Sequence, residues 1–279
     1  MAKLSTSWKR CDRLPQAHIR RGLQLAIQSG ELAPNMFLAF RMQILPPNHR
    51  RPTMNETEAS GQLPEFEKWV ESLFTESGEE LSDEDEDWRL SSQDLAEYYA
   101  RLFEYPEFLA MKFTREQLAA GIWNICGPHG SWHDAMNPSV PDSIRRRCVR
   151  AIGTFYTNLL DPICISVSDD AQETDPLCRA VYMMWDMDGI SLLQTYPEFQ
   201  DDCVSVLWAA INCKSVACVT SGLHGIGHWI SIGEGQHDSK LVDWLQACID
   251  AFLVRYRQNV DADPSLIEYA FNARSGTVM

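Results

Sequence analysis

Pro141-Asp-Ser-Ile-Arg-Arg-Arg-Cys-Val-Arg-Ala-Ile-Gly-Thr-Phe-Tyr-Thr-Asn-Leu159 is the stretch that decides the fold class. Ile144, Cys148, Ile152, Phe155 and Leu159 recur every three or four residues, the period that lines apolar side chains along one face of an α-helix. Arg146 and Arg150 fall on the other side. A half-buried strand would need strict alternation, which the run lacks.

The pattern repeats in both directions along the chain. Thr114-Arg-Glu-Gln117 is a capping box ahead of Leu118, Ile122 and Ile125, and Gly127-Pro128 stops that helix. Asp175-Pro176 supplies an N-cap followed by a proline at the first helical position, then Cys178, Val181, Tyr182 and Trp185, with Gly189 beyond the end. Asp238 starts a helix that turns Leu241, Trp244, Leu245, Cys248, Ile249 and Phe252 inward, and Asp263-Pro264 starts a last one through Ile267 and Phe271. Segments 17–28, 65–76 and 91–103 are earlier helices. Residues 163–167 alternate, but they are few and bounded by Pro162 and Asp169-Asp170, so they read as a connector. The expected fold is all-α: about nine to eleven helices in an irregular, armadillo/HEAT-like α-solenoid or an antiparallel helical bundle. Tyr-Pro-Glu-Phe at 105–108 and again at 196–199 hints at an old duplication.

With 279 residues, 45% apolar and 23% charged, the chain forms one large domain or two small ones. The expected division is an N-terminal helical region, 1–90, and a main helical domain, 91–279. Charge marks the first part: residues 1–53 carry net +7, residues 54–104 net −13, and the run at 79–87 is almost wholly acidic and reads as a solvated linker. The total of −15 disfavours an electrostatically driven nucleic-acid binder and makes a basic protein the expected partner. No run approaches the roughly 18–20 apolar residues of a membrane span. Nor does the N-terminus carry an apolar segment ahead of a small-residue cleavage site, so a cytoplasmic location is expected, with the nine cysteines reduced. Nothing in the sequence specifies the oligomeric state.

Ser221-Gly-Leu-His-Gly-Ile-Gly-His-Trp229 is the stretch most able to carry chemistry. On a helix, His224 and His228 lie one turn apart, the spacing that lets two imidazoles share a metal ion. No Glu follows the first His as in a metalloprotease helix, and Cys218 falls on another face. Gly222, Gly225 and Gly227 would each cost a helix about 0.5–1 kcal/mol, so a close neighbour must offset them. Ala217, Ser221 and Gly225 form a row of small residues for such a crossing. The favoured reading is therefore structural, with the histidines hydrogen-bonded into a tight helix crossing; a metal or catalytic pair and a partner-binding surface are the alternatives. That surface would comprise His224, Gly225, Gly227, His228 and Trp229, with Trp185 and Asp186.

Cys126-Gly-Pro-His129-Gly-Ser-Trp-His133 offers a second possible zinc cluster, with Cys148 or Asp134 as fourth ligand, although the run also suits an ordinary turn. Trp185-Asp-Met-Asp-Gly189 ends a helix with two carboxylates, expected to be solvated or to bind arginine. Glycine-rich phosphate loops and the nucleophile-elbow pattern are missing, which disfavours a nucleotide enzyme or an α/β-hydrolase. No cofactor is expected, zinc being the alternative.

Tyr182-Met-Met-Trp-Asp186 and Leu223-His-Gly-Ile-Gly-His-Trp229 resemble paired segments of a group of bacterial all-helical proteins, over roughly the last 170 residues. The resemblance implies an α-solenoid-like fold and carries no activity. Taken together, the sequence points to an acidic helical scaffold that binds a basic protein, in the manner of an inhibitor, immunity or defence-associated protein. The alternatives are a metal-dependent enzyme or metal-binding protein centred on His224 and His228, and a nucleic-acid mimic or binder.

Overall fold

The computed structural model describes residues 63–75, 90–127, 131–165, 174–187, 197–235, 239–259 and 262–278. The basic start, segment 17–28, the acidic run 79–87, His129, Gly189 and Tyr196 lie outside these. In chain order the helices are α1 (Leu63–Thr75), α2 (Ser92–Glu104), α3 (Glu107–Lys112), α4 (Arg115–Cys126), α5 (Trp132–Ala135) and α6 (Asp142–Phe155). They continue with α7 (Pro176–Met183), α8 (Gln200–Ile211), α9 (Val216–Gly235), α10 (Ser239–Tyr256) and α11 (Pro264–Arg274). The described residues contain no strand, and no described helix is long and apolar enough to cross a membrane.

Local signals act as expected. The Thr114 hydroxyl accepts from the Gln117 amide at 3.3 Å, and the Gln117 side chain returns the bond to the Thr114 amide at 3.0 Å, closing the capping box of α4. Asp175 and Asp263 accept from the amides of Cys178 and Ser265, each at 2.8 Å, ahead of the prolines that open α7 and α11. The connector expected at 163–167 is corrected in its first part: α6 runs on through a π-helical turn, Tyr156–Leu160, into Asp161–Cys164. Pro162 does not stop the chain because it sits in the first turn of the resumed segment, where its missing N–H is least needed.

The apolar stripe of α6 buries Cys148, Ile152, Phe155 and Leu159, and Phe155 meets Phe103 of α2 with ring centres 5.0 Å apart. The opposite face is not idle. Arg146 and Arg150 both donate to the buried carboxylate of Asp202 at 2.7 and 2.5 Å, tying α6 to α8.

Two compact units divide the chain, Met1–Met54 and Asn55–Met279, and every described residue belongs to the second. α1 packs on α4, with Phe66, Trp69, Val70 and Phe74 buried, so it belongs to the same core as the helices after residue 90. The packing is that of the expected all-helical bundle or solenoid. α9 lies at the centre, touching α7, α8, α10, α11 and the resumed segment of α6. The histidine stretch is in α9.

Candidate metal centre

The glycines of α9 mark where other helices come closest. A Cβ at Gly222 would stand 2.8 Å from the side chains of Ala210 and Ile211 in α8. One at Gly225 would stand 2.6 Å from Leu207 and 2.7 Å from the Trp185 ring, and one at Gly227 would meet Val278 at 2.6 Å and the Ala273 backbone of α11 at 3.2 Å. These close approaches involve two neighbouring helices and the segment after α7. Ser221 joins them through a hydrogen-bond relay. Trp185 donates to Tyr156 at 3.0 Å, Tyr156 pairs with Ser221 at 2.8 Å, and Ser221 donates to the Val181 carbonyl of α7 at 2.5 Å. Trp185 and Trp229 are both buried in the core, so neither is available as a surface anchor for a partner.

This relay holds Trp185 against α9 and so delivers the next residue, Asp186, to the histidines. One carboxylate oxygen, Oδ1, lies 2.8 Å from His224 Nε2 and 2.6 Å from His228 Nε2, and the two imidazole nitrogens are 3.0 Å apart. Asp186 is exposed, as expected of a helix-end carboxylate, but its charged partners are imidazoles rather than an arginine. Asp186 faces two imidazoles because the chain turns immediately after α7. The side chains of Asp186 and His228 are 25% and 34% exposed while that of His224 is fully buried, so one side of the group faces solvent.

On its far side, His224 Nδ1 is 2.7 Å from the Tyr269 hydroxyl, which in turn lies 3.2 Å from the Tyr182 hydroxyl. The Tyr182 ring packs 4.5 Å from the His224 ring. Both nitrogens of His224 are therefore engaged and the ring has one orientation. Burial lowers the pKa of His224 below the ordinary imidazole value despite the opposing pull of Asp186, favouring the neutral form that binds metals. Burial also pushes the Tyr269 hydroxyl well up, so it stays protonated.

Asp186, His224 and His228 form a group whose donor atoms could hold a metal ion. Three donor atoms 2.6–3.0 Å apart are close enough together for one ion at the usual ~2.0–2.2 Å from oxygen and imidazole nitrogen. An engaged second nitrogen, as on His224, is the usual support of a ligating histidine. The second possible zinc cluster does not assemble among the described residues: Cys126 is buried, with its thiol pKa raised by desolvation, while His133 is exposed, and no metal-sized group includes either. The histidine spacing was visible in the sequence. Asp186, 38 residues before His224, and Tyr269, 45 after it, are brought in only by packing.

No family model, curated protein or solved structure matches the chain.

Proposed function

We propose that this protein is metal-dependent, with Asp186, His224 and His228 binding one divalent transition-metal ion of the zinc or iron(II) class. The observation that carries the proposal is the meeting of two imidazole nitrogens and one carboxylate oxygen within 3.0 Å of one another at a partly exposed edge of the bundle. A structural hydrogen bond needs one donor and one acceptor; it does not need a second imidazole nitrogen in the same place. Two histidines and one carboxylate leave coordination positions open, as in catalytic sites, whereas closed structural zinc sites use four protein ligands. A bound ion would polarise a carbonyl or phosphoryl oxygen, or activate a water molecule. The chain's contribution is to fix His224 between Tyr269 and the ion, to hold Asp186 through the Trp185 relay, and to leave the His228 side open.

Elemental analysis of purified protein, reconstituted with zinc or iron(II) and freed of excess ion, tests this. The expected result is about one ion per chain, lost in Asp186→Ala and His228→Ala and retained in His133→Ala. A wild-type protein that holds no ion, or variants that hold it unchanged, would overturn the proposal.

A second reading rests on the net charge of −15: an acidic helical scaffold that captures a basic protein, as an inhibitor or immunity protein does. Its association rate would fall steeply with salt. An association indifferent to salt would contradict it.

A further inference from the structure

Four of the eight described cysteines gather at one junction although they come from four separate elements. Cys164 ends the resumed segment of α6, Cys178 lies in α7, Cys213 in the turn after α8 and Cys218 in the first turn of α9. Their thiols form a row. The Cys164 thiol lies beside those of Cys178 and Cys218, and the Cys218 thiol beside that of Cys213. Cys164, Cys178 and Cys218 are buried, and Cys213, at the end of the row, is partly exposed.

A buried cysteine taken singly is a small apolar side chain and needs no further account. A row of neighbouring thiols with one end at the surface is different, because a thiol within reach of a second thiol can form a disulfide once the first is oxidised. The Cys213 and Cys218 sulfurs lie within 4.8 Å of one another and of an Asp161 carboxylate oxygen. That carboxylate already accepts from the backbone amides of Lys214 and Ser215, at 2.8 and 2.7 Å, so the start of α9 meets its charge. Cys213 stands just before the same helix N-terminus, and its thiol donates to the Ala209 carbonyl at 3.5 Å.

We propose that Cys213 and Cys218 are a hydroperoxide-sensitive thiol pair, Cys213 being the thiol attacked and Cys218 the one that resolves it. In the first step the Cys213 sulfur attacks one oxygen of the hydroperoxide. An S–O bond forms, the O–O bond breaks, and the departing oxygen takes the thiol proton and leaves as an alcohol or water. Cys213 is now a sulfenic acid, oxidised by two electrons, and the peroxide has been reduced. In the second step the Cys218 sulfur attacks the Cys213 sulfur. The S–S bond forms, the S–O bond breaks, and hydroxide leaves with the Cys218 proton as water. Two thiols and one hydroperoxide thus give one disulfide, one alcohol and one water. The pair does not depend on the metal proposal, since none of the three proposed ligands takes part.

The test exposes the full-length native protein to hydrogen peroxide, alkylates the remaining thiols and digests with trypsin. Lys214 lies between the two cysteines, so trypsin separates them and their disulfide appears as a linked peptide pair that dithiothreitol abolishes. Met111, 83% exposed, reports the oxidant dose in the same digest. The expected result is Cys213–Cys218 linkage in most chains before Met111 is half oxidised, and a dimedone adduct on Cys213 in Cys218→Ser. The linkage should be unchanged in His228→Ala, which separates this proposal from the metal reading. Cys213 still reduced at that dose, Cys213 carried to sulfinic acid without linkage, or a different cysteine pair cross-linked would each overturn it.

Discussion

Gly225→Ala sets two opposing effects against each other at the centre of the bundle. Alanine in a helix interior is favoured over glycine by about 0.5–1 kcal/mol, and in open space the substitution would stabilise α9. At this position the new methyl would stand 2.6 Å from Leu207 Cδ2 and 2.7 Å from Trp185 Cγ. The leucine tip can rotate aside. The indole cannot, because it is fully buried and donates to Tyr156. Overpacking of this kind costs about 1–3 kcal/mol, so the net expectation is a loss of roughly 1–2 kcal/mol. For a chain of this size that lowers Tm by about 2–4 °C per kcal/mol. Gly153→Ala is the control: it lies within α6, and its nearest neighbour would be Ala209 Cβ at 3.6 Å, an ordinary contact, so that variant should gain stability. Urea unfolding followed by circular dichroism compares the two. A Gly225→Ala protein as stable as Gly153→Ala would refute the reasoning that the glycine is there for the tryptophan. Because Asp186 follows Trp185, Gly225→Ala should also weaken metal binding.

Tyr269→Phe removes the partner of His224 Nδ1 and should weaken metal affinity by roughly 10–100-fold in a chelator competition, with no loss of the fold. Asp202→Ala leaves Arg146 and Arg150 without their shared buried carboxylate and should cost about 1.5–3 kcal/mol in urea unfolding; Arg150→Ala should cost less, because Arg146 still pairs with Asp202. Burial pushes the Asp175 carboxyl up, but the hydrogen bonds from Arg115 and the Cys178 amide outweigh it and hold the carboxyl below its ordinary value. The stability this contributes is complete above the ordinary carboxylate range and is lost as pH falls through the folded-state value, so Asp175→Asn should flatten the acid side of a Tm-against-pH curve.

The helices were legible because their signals are local. A capping box, an aspartate followed by proline and a three-to-four-residue apolar period each act within a turn or two of chain, and at Thr114, Asp175, Asp263 and Ile144–Leu159 the structure follows them. Pro162 misled for the same reason, since a local rule for proline says nothing of the π-helical turn that precedes it. Within the site, the histidine spacing and the glycines were visible in nine consecutive residues. Asp186 entered only as part of a candidate partner surface; its place beside both imidazoles was not legible, because an aspartate at a helix end is commonly solvated and no spacing rule links Asp186 to a helix 38 residues on. Tyr269 carried no signal at all. Its hydroxyl reaches His224 only because α11 packs on α9, partly at Gly227.

Cobalt(II) titration followed by visible absorption tests the central claim most directly. With Asp186, His224 and His228 as ligands, one equivalent should develop the d–d bands of a low-symmetry site with nitrogen and oxygen donors, displaced by zinc and absent in His228→Ala. The spectrum of free aqueous cobalt, or an intense thiolate charge-transfer band that survives in His228→Ala, would contradict it.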